Sequence, residues 1–241
     1  MKRGACFQWR GVFKLRMKAL ITTKPSVLLT LLCLSFSLPV FAQTTPPKTD
    51  AQFWNETNVF APINKKLDAL VIGILRIGQD MGRPVDERIG AGISYRPNRY
   101  LTLQPHYIYV AQQPFPGRKV IDHRLNLEAT VRVYPGKFTV SDRNRLERRI
   151  RAGSPDFWVY RNRIQIDYPV KIGNFKFKPY VADEFWYDSS AKQWTRNRIS
   201  VGIIKDLNKH LTGELFYLRQ NDGRARPGNL HVLGTILRYR L

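Results

Sequence analysis

The chain has 241 residues, with 40 Lys and Arg against 18 Asp and Glu, a formal charge of +22. An apolar fraction of 43%, together with 13 Phe, 5 Trp and 11 Tyr, excludes an intrinsically disordered chain. Such a charge would ordinarily suggest nucleic acid, but residues 1–42 hold seven basic residues and no acid, and the remainder balances at 33 against 18, or +15.

Those first residues read as a secretory leader. Lys2, Arg3, Arg10, Lys14, Arg16, Lys18 and Lys24 precede an apolar run from Ser26 to Val40, which ends in Val40-Phe41-Ala42. Basic, apolar, small-x-small is the export pattern, and cleavage is expected after Ala42. The apolar run has about fifteen residues, whereas a membrane-crossing helix needs roughly 20. The long basic region points to initiation at Met17, which N-terminal sequencing of the precursor tests. Leu32 ahead of Cys33 is too large for a lipoprotein cleavage site. Both cysteines, Cys6 and Cys33, lie in the leader, so the exported part is expected to have no disulfide, thiol nucleophile or cysteine metal site.

Residues 43–65 read as a lead-in segment. Within it, Gln52 to Phe60 is a candidate strand that breaks the even parity of the strands beyond it. Three placements fit: a periplasmic lead-in, a strand lining or entering the barrel, or half of a hairpin. From 66 onward, alternation of apolar and polar residues recurs in runs of eleven to sixteen, longer than the roughly 5–6 residues of a globular strand. The predicted strands are 66–79, 85–96, 99–112, 119–134, 137–150, 157–170, 174–187, 193–206, 209–220 and 229–241. In 119–134, Ile121, His123, Leu125, Leu127, Ala129, Val131 and Val133 alternate with Asp122, Arg124, Asn126, Glu128, Thr130 and Arg132.

Turn residues separate the runs, and short connections such as Tyr134-Pro135-Gly136-Lys137 alternate with longer ones such as Gln112 to Lys119. Aromatics gather near strand ends, among them Tyr95, Tyr100, Tyr134, Trp158, Tyr168, Tyr187 and Tyr239. These features together predict an all-β fold, an antiparallel transmembrane β-barrel of about ten strands, or twelve if the N-terminal segment hides a hairpin. The last strand resembles an outer-membrane assembly signal, with Leu241 where an aromatic is usual.

The inward face is rich in arginine. Arg-Asn-Arg occurs at 143–145, 161–163 and 196–198, setting two guanidinium groups on one face, roughly 7 Å apart by strand rise. Candidate lumen cations are Arg88, Arg124, Arg132, Arg143, Arg145, Arg161, Arg163, Arg196 and Arg198. Candidate partners are Asp86, Asp122, Glu128, Glu147, Asp167 and Glu184, with Glu147 expected beside Arg145 and Asp167 beside Arg163. A saturated network would seal a small barrel, while an excess of arginine would favour anions or hold a phosphate- or carboxylate-bearing ligand. Alternation sends Asn144, Asn162, Asn197, Asp142 and Asp183 toward lipid, a costly place for them. Arg118, Lys119, Arg224 and Arg226 fall in outer loops, where lipopolysaccharide phosphates are expected contacts.

Four histidines exist, and only His106 is expected inward; Ser141 and Ser200 have no histidine at matching depth. Asp86 with the pair Asp183 and Glu184 is open to reading as a protease-like acid set, but pairing with arginine is the expected use. No Gly-rich phosphate loop or metal-spaced cluster appears, so no catalytic residue, metal or cofactor is assigned.

Several strings resemble a family of bacterial outer-membrane proteins known only as a domain of unknown function. They include Asp50-Ala51-Gln52-Phe53-Trp54, Arg83-Pro84-Val85-Asp86-Glu87-Arg88, Asn144-Arg145-Leu146-Glu147-Arg148-Arg149, Tyr160-Arg161-Asn162-Arg163 and His231-Val232-Leu233-Gly234. The resemblance covers about 50–241 and implies a Gram-negative outer-membrane barrel without catalytic activity. The expected partners are therefore outer-membrane lipid, lipopolysaccharide and, during insertion, the barrel-assembly machinery; nucleic acid is not among them. The expected role is structural or that of a narrow anion-favouring channel. The competing classes are a barrel enzyme acting on lipid or peptides and a soluble periplasmic barrel binding an anionic ligand.

Overall fold

The computed structural model describes residues 48–241, and the leader expected at 1–42 lies outside them. The period-two sequence folds entirely into strands: β1 (Thr49–Pro62), β2 (Leu67–Gly78), β3 (Arg83–Tyr95), β4 (Leu101–Phe115), β5 (Arg118–Val133), β6 (Thr139–Ile150), β7 (Phe157–Asp167), β8 (Val170–Ile172), β9 (Phe175–Asp188), β10 (Gln193–Asp206), β11 (Leu211–Asp222) and β12 (Asn229–Arg240). Ten of the eleven long strands follow the sequence reading closely. Pro169, which has no N–H to give a ladder, separates β7 from the three-residue β8. The start of β9 pairs with β8 and its remainder with β7, so β8 adds no wall of its own.

Each long strand pairs antiparallel with the next, and β12 closes onto β1 in parallel. Eleven long strands thus form a closed barrel. The segment expected as a lead-in at 43–65 carries the first of them, and the parallel seam resolves the conflict of parity. An odd number of strands forces one parallel pair, whereas single-chain bacterial barrels usually have an even number. The seam is in register from Thr49 opposite Asn229 to Phe60 opposite Arg240.

Side chains tie β1 and its neighbours together at both rims. Asp50 accepts from the amides of Gln79 and Asp80 at 3.0 and 2.8 Å, capturing the β2–β3 turn. That turn places Gln79, Asp80 and Met81 at φ of 54°, 54° and 63°, a left-handed run that non-glycine residues rarely adopt without such support. At the other rim the buried carboxylate of Asp68 on β2 reaches over β1 to Arg240 of β12, at 2.8 Å, and also meets Arg96 at 2.6 Å. On the outer surface Asn55 donates to the Thr235 hydroxyl across the seam at 2.9 Å.

The connections are not sorted by length. At the rim holding the C-terminus they are 63–66, 96–100, 134–138, 168–174 and 207–210; at the rim where β1 begins they are 79–82, 116–117, 151–156, 189–192 and 223–228. The long loop expected at 112–119 is mostly strand, because β4 and β5 run on past a register shift between Gln112 and Phe115 and leave only a two-residue turn.

Alternation decides which side chains face inward. Exposed Ile89, Leu125, Leu127, Ile164, Val181 and Val201 belong to an apolar outer surface. The interior has two unlike sectors. Apolar side chains concentrate on β2, part of β4, β11 and β12, with buried Leu70, Ile72, Ile108, Val110, Leu218 and Val232. Gly234 lies under the Phe216 ring of the opposing residue on β11, where a methyl group would overlap it. The remaining wall carries the arginines.

Candidate functional site

The charged wall is built on β3, β5, β6, β7, β9 and β10, whose inward positions supply most of the lumen arginines and the carboxylates that meet them. Glu147 of β6 is 2% exposed and lies among Arg149, Arg124 at 3.6 Å and Arg161 at 3.8 Å. Glu184 of β9 gathers Arg161 at 2.7 Å, Arg143 at 2.9 Å and Arg198 at 3.6 Å. Glu128 binds Arg145 at 2.5 Å; Asp122 binds Arg124 and Arg151, each at 2.6 Å. Asp86 holds Arg88, Arg76 at 3.2 Å and the amide of Gln112 at 2.7 Å. Arg196 pairs with Asp222 at 2.6 Å.

Two tryptophans stand among these cations. Trp54 has the Arg76 guanidinium 3.8 Å from its ring centre and Arg198 at 4.8 Å. Its indole N–H donates to Gln52, whose amide donates to Asp50, both at 2.7 Å, so the start of β1 fixes the ring. Trp186 lies under Arg161, Arg196 and Arg198 at 3.9, 4.3 and 4.5 Å. A desolvated guanidinium over an indole face gains about 2 kcal/mol, which offsets part of crowding so many cations.

This arginine–tryptophan layer divides the lumen. A cavity of about 550 Å³ opens toward the C-terminal rim and one of about 280 Å³ toward the rim where β1 begins. Trp54, Arg76, Arg88, Arg124 and Arg198 line both and form the septum between them. Twelve basic side chains and six carboxylates line the larger cavity, and ten arginines and one carboxylate line the smaller. Basic side chains therefore outnumber carboxylates in both compartments.

All nine expected lumen arginines and all six expected acids face inward; Arg124 pairs with Asp122 on its own strand as expected, but other pairs depart from the same-strand scheme. Arg145 pairs across to Glu128, its register partner on β5, and Glu147 pairs with Arg149, Arg124 and Arg161 instead. Arg163 meets no carboxylate among the described residues; its guanidinium lies 5.7 Å from the Tyr180 ring centre. Asp167 is buried without an arginine partner among them, and Arg132 donates only to the Thr102 hydroxyl at 3.0 Å. Asp183 and Glu184 face opposite sides of the wall, so they do not form an acid pair.

His106 is buried and inward, its Nδ1 at 2.9 Å from the Gln104 carbonyl. Arg118, Arg224 and Arg226 border the smaller cavity at its mouth, and Lys119 is exposed beside them at the turn. Sequence reasoning missed Trp54, Trp186, Arg76, Arg149, Asp68 and Arg240. The signal was present: both tryptophans occupy the inward phase of their strands, in step with Gln52 and with Glu184.

Residues 51–230 match the model of the family described as Protein of unknown function (DUF2490). The chain belongs to this family. The DUF2490 match runs from within β1 into β12 and so spans the barrel from one side of the parallel seam to the other. It is the kind of family that the sequence strings indicated. No curated protein matched the chain. Among solved structures, an anion-selective porin from Comamonas acidovorans is similar at 14% identity with a TM-score of 0.39, covering 73% of this chain and 54% of the porin. The DUF2490 chain thus spans about half the length of that protein.

Proposed function

We propose that the protein is exported through its leader, inserts in the bacterial outer membrane and admits small anions through its lumen. What carries this reading is the excess of arginine over carboxylate in both cavities, twelve basic groups to six acids in one and ten to one in the other. Arginine is the basic side chain that holds its charge most firmly, and a ring of fixed cations favours anions. The septum limits passage to small solutes. Arginines at the mouth of the smaller cavity suit anionic solutes and lipopolysaccharide phosphates alike. The protein acts as a passage and performs no catalysis.

Planar-bilayer recording across a salt gradient tests the proposal. The expected reversal potential has the sign of anion selectivity, and Arg163→Glu, which replaces a cation lacking a carboxylate partner among the described residues, shifts it toward cations. A cation-selective wild type, or no current from barrels that show heat-modifiable gel migration, would sink the channel. The second outcome favours a sealed structural barrel, for which the dense pairing around Glu147 and Glu184 is the supporting observation.

A further inference from the structure

The outer surface of β6, β7, β9 and β10 interrupts the apolar belt. Asp142 and Asn144 of β6, Asn162 of β7, Asp183 of β9 and Asn197 of β10 all lie on the outward phase of their strands. The register sets them in two adjacent rows. Asn144 is opposite Asn162, which is opposite Phe185, which is opposite Asn197; one step toward the C-terminal rim, Asp142, Ile164, Asp183 and Ile199 follow in the same order. Ile164, Val181, Phe185 and Ile199 around them are exposed apolar side chains, as lipid contact requires.

The polar groups bond to one another. Asn162 Nδ2 donates to Asp142 at 2.6 Å and to Asn144 at 3.1 Å, Asn144 Nδ2 donates to Asp142 at 3.1 Å, and Asn197 Nδ2 donates to Asp183 at 2.5 Å. The Tyr160 hydroxyl donates to Asn144 at 2.5 Å. These bonds leave capacity over. Asn144 and Asn197 each use one of two amide N–H groups in these bonds, and Asp183 accepts one bond where a carboxylate takes several. Spare donors and acceptors facing hydrocarbon are costly, and ionisable groups inside a membrane almost always face protein.

We propose that this face is the contact between two copies of the chain in the membrane. Barrels inserted with the same topology are related by a symmetry axis along the membrane normal, and a two-fold axis makes the surface meet its own image. An amide row suits that geometry, because each Asn carries both a donor and an acceptor and so complements its counterpart. A partner recognised through charge alone would need cations against Asp142 and Asp183 and would leave the amide N–H groups unused. An aromatic cluster adjoins the rows on the side away from the C-terminal rim: Trp194 is 57% exposed and its ring centre is 5.6 Å from Tyr187 and 6.3 Å from Tyr160. Large aromatic side chains beside a polar centre are typical anchors of protein interfaces.

The inference rests on membrane insertion but not on conduction. Because residues 34–241 contain no cysteine, single substitutions report proximity cleanly. Asn162→Cys and Asn197→Cys in native membranes, oxidised with copper phenanthroline, are expected to give a disulfide-linked species of twice the chain mass, in several-fold higher yield than Val71→Cys on the opposite wall. Equal yields at all three positions, or linkage to a protein of different mass, overturns the proposal. Mass measurement in detergent is independent of the cysteines: the wild type is expected as a dimer and Asp142→Leu/Asn162→Leu as a monomer. A monomeric wild type that keeps heat-modifiable migration overturns the interface alone, whereas its loss in the wild type overturns membrane insertion and the interface with it.

Discussion

Glu147 shows how the interior tolerates its charge. It is almost fully buried and touches three guanidinium groups, from β5, β6 and β7. A buried ion pair adds little net stability by itself, since desolvation consumes most of the attraction, but removing one partner strands the other at a cost of about 3–5 kcal/mol. Glu147→Gln keeps the shape and removes the charge. It is expected to destabilise the barrel by about 3–5 kcal/mol, read as a lower urea midpoint for the disappearance of the heat-modifiable band. Arg163→Lys, at a cation without a carboxylate partner among the described residues, is expected to leave the midpoint nearly unchanged; equal losses at both sites would reject this account of the network. The pairing itself was not legible. The sequence indicated which side chains share a face, but Arg145 finds Glu128 through the β5–β6 register, and that register depends on where each turn closes.

Among the elements, the seam between β1 and β12 is the most informative. Parallel closure brings Asn55 and Thr235 together on the outer face, with Nδ2 and Oγ at 2.9 Å. Asn55→Cys/Thr235→Cys is therefore expected to form an intramolecular disulfide on mild oxidation, visible as a mobility shift that reductant reverses. Asn55→Cys/Tyr239→Cys, whose positions are four residues out of register and roughly 13 Å apart along the strand, is expected to remain reduced. The reverse pattern would rule out the seam. β1 was visible as a strand from its alternation, yet its neighbour was not. A strand's pattern states which face is buried and says nothing about whether the chain beside it runs parallel or antiparallel.

For the whole molecule, eleven strands place the start of β1 and the end of β12 at opposite rims. An even-stranded barrel would bring them to the same rim. Impermeant maleimide applied to intact cells is expected to treat Lys48→Cys and Arg224→Cys alike, and to give the opposite result for Lys209→Cys. Matching behaviour of Lys48→Cys with Lys209→Cys would indicate that β1 is not in the wall. The lumen is also a whole-molecule property. Its arginines come from strands distant in sequence, and the septum exists because β1 carries Trp54 to the same depth as Arg198 of β10 and Arg76 of β2.

The residue pattern along the chain was enough to indicate a largely antiparallel barrel, an inward face rich in arginine, and the five amides and carboxylates that face outward. All of these follow from period two, a local property set by the pleat and repeated along each strand. Tertiary structure was needed for the rest: the eleventh strand and its parallel seam, the even shortness of the turns, the partner of each arginine, and the division of the lumen. Each depends on ring closure and on register, which join residues far apart in the chain. The excess positive charge thereby acquires a location. Much of it lines two cavities on either side of a layer of arginine and tryptophan.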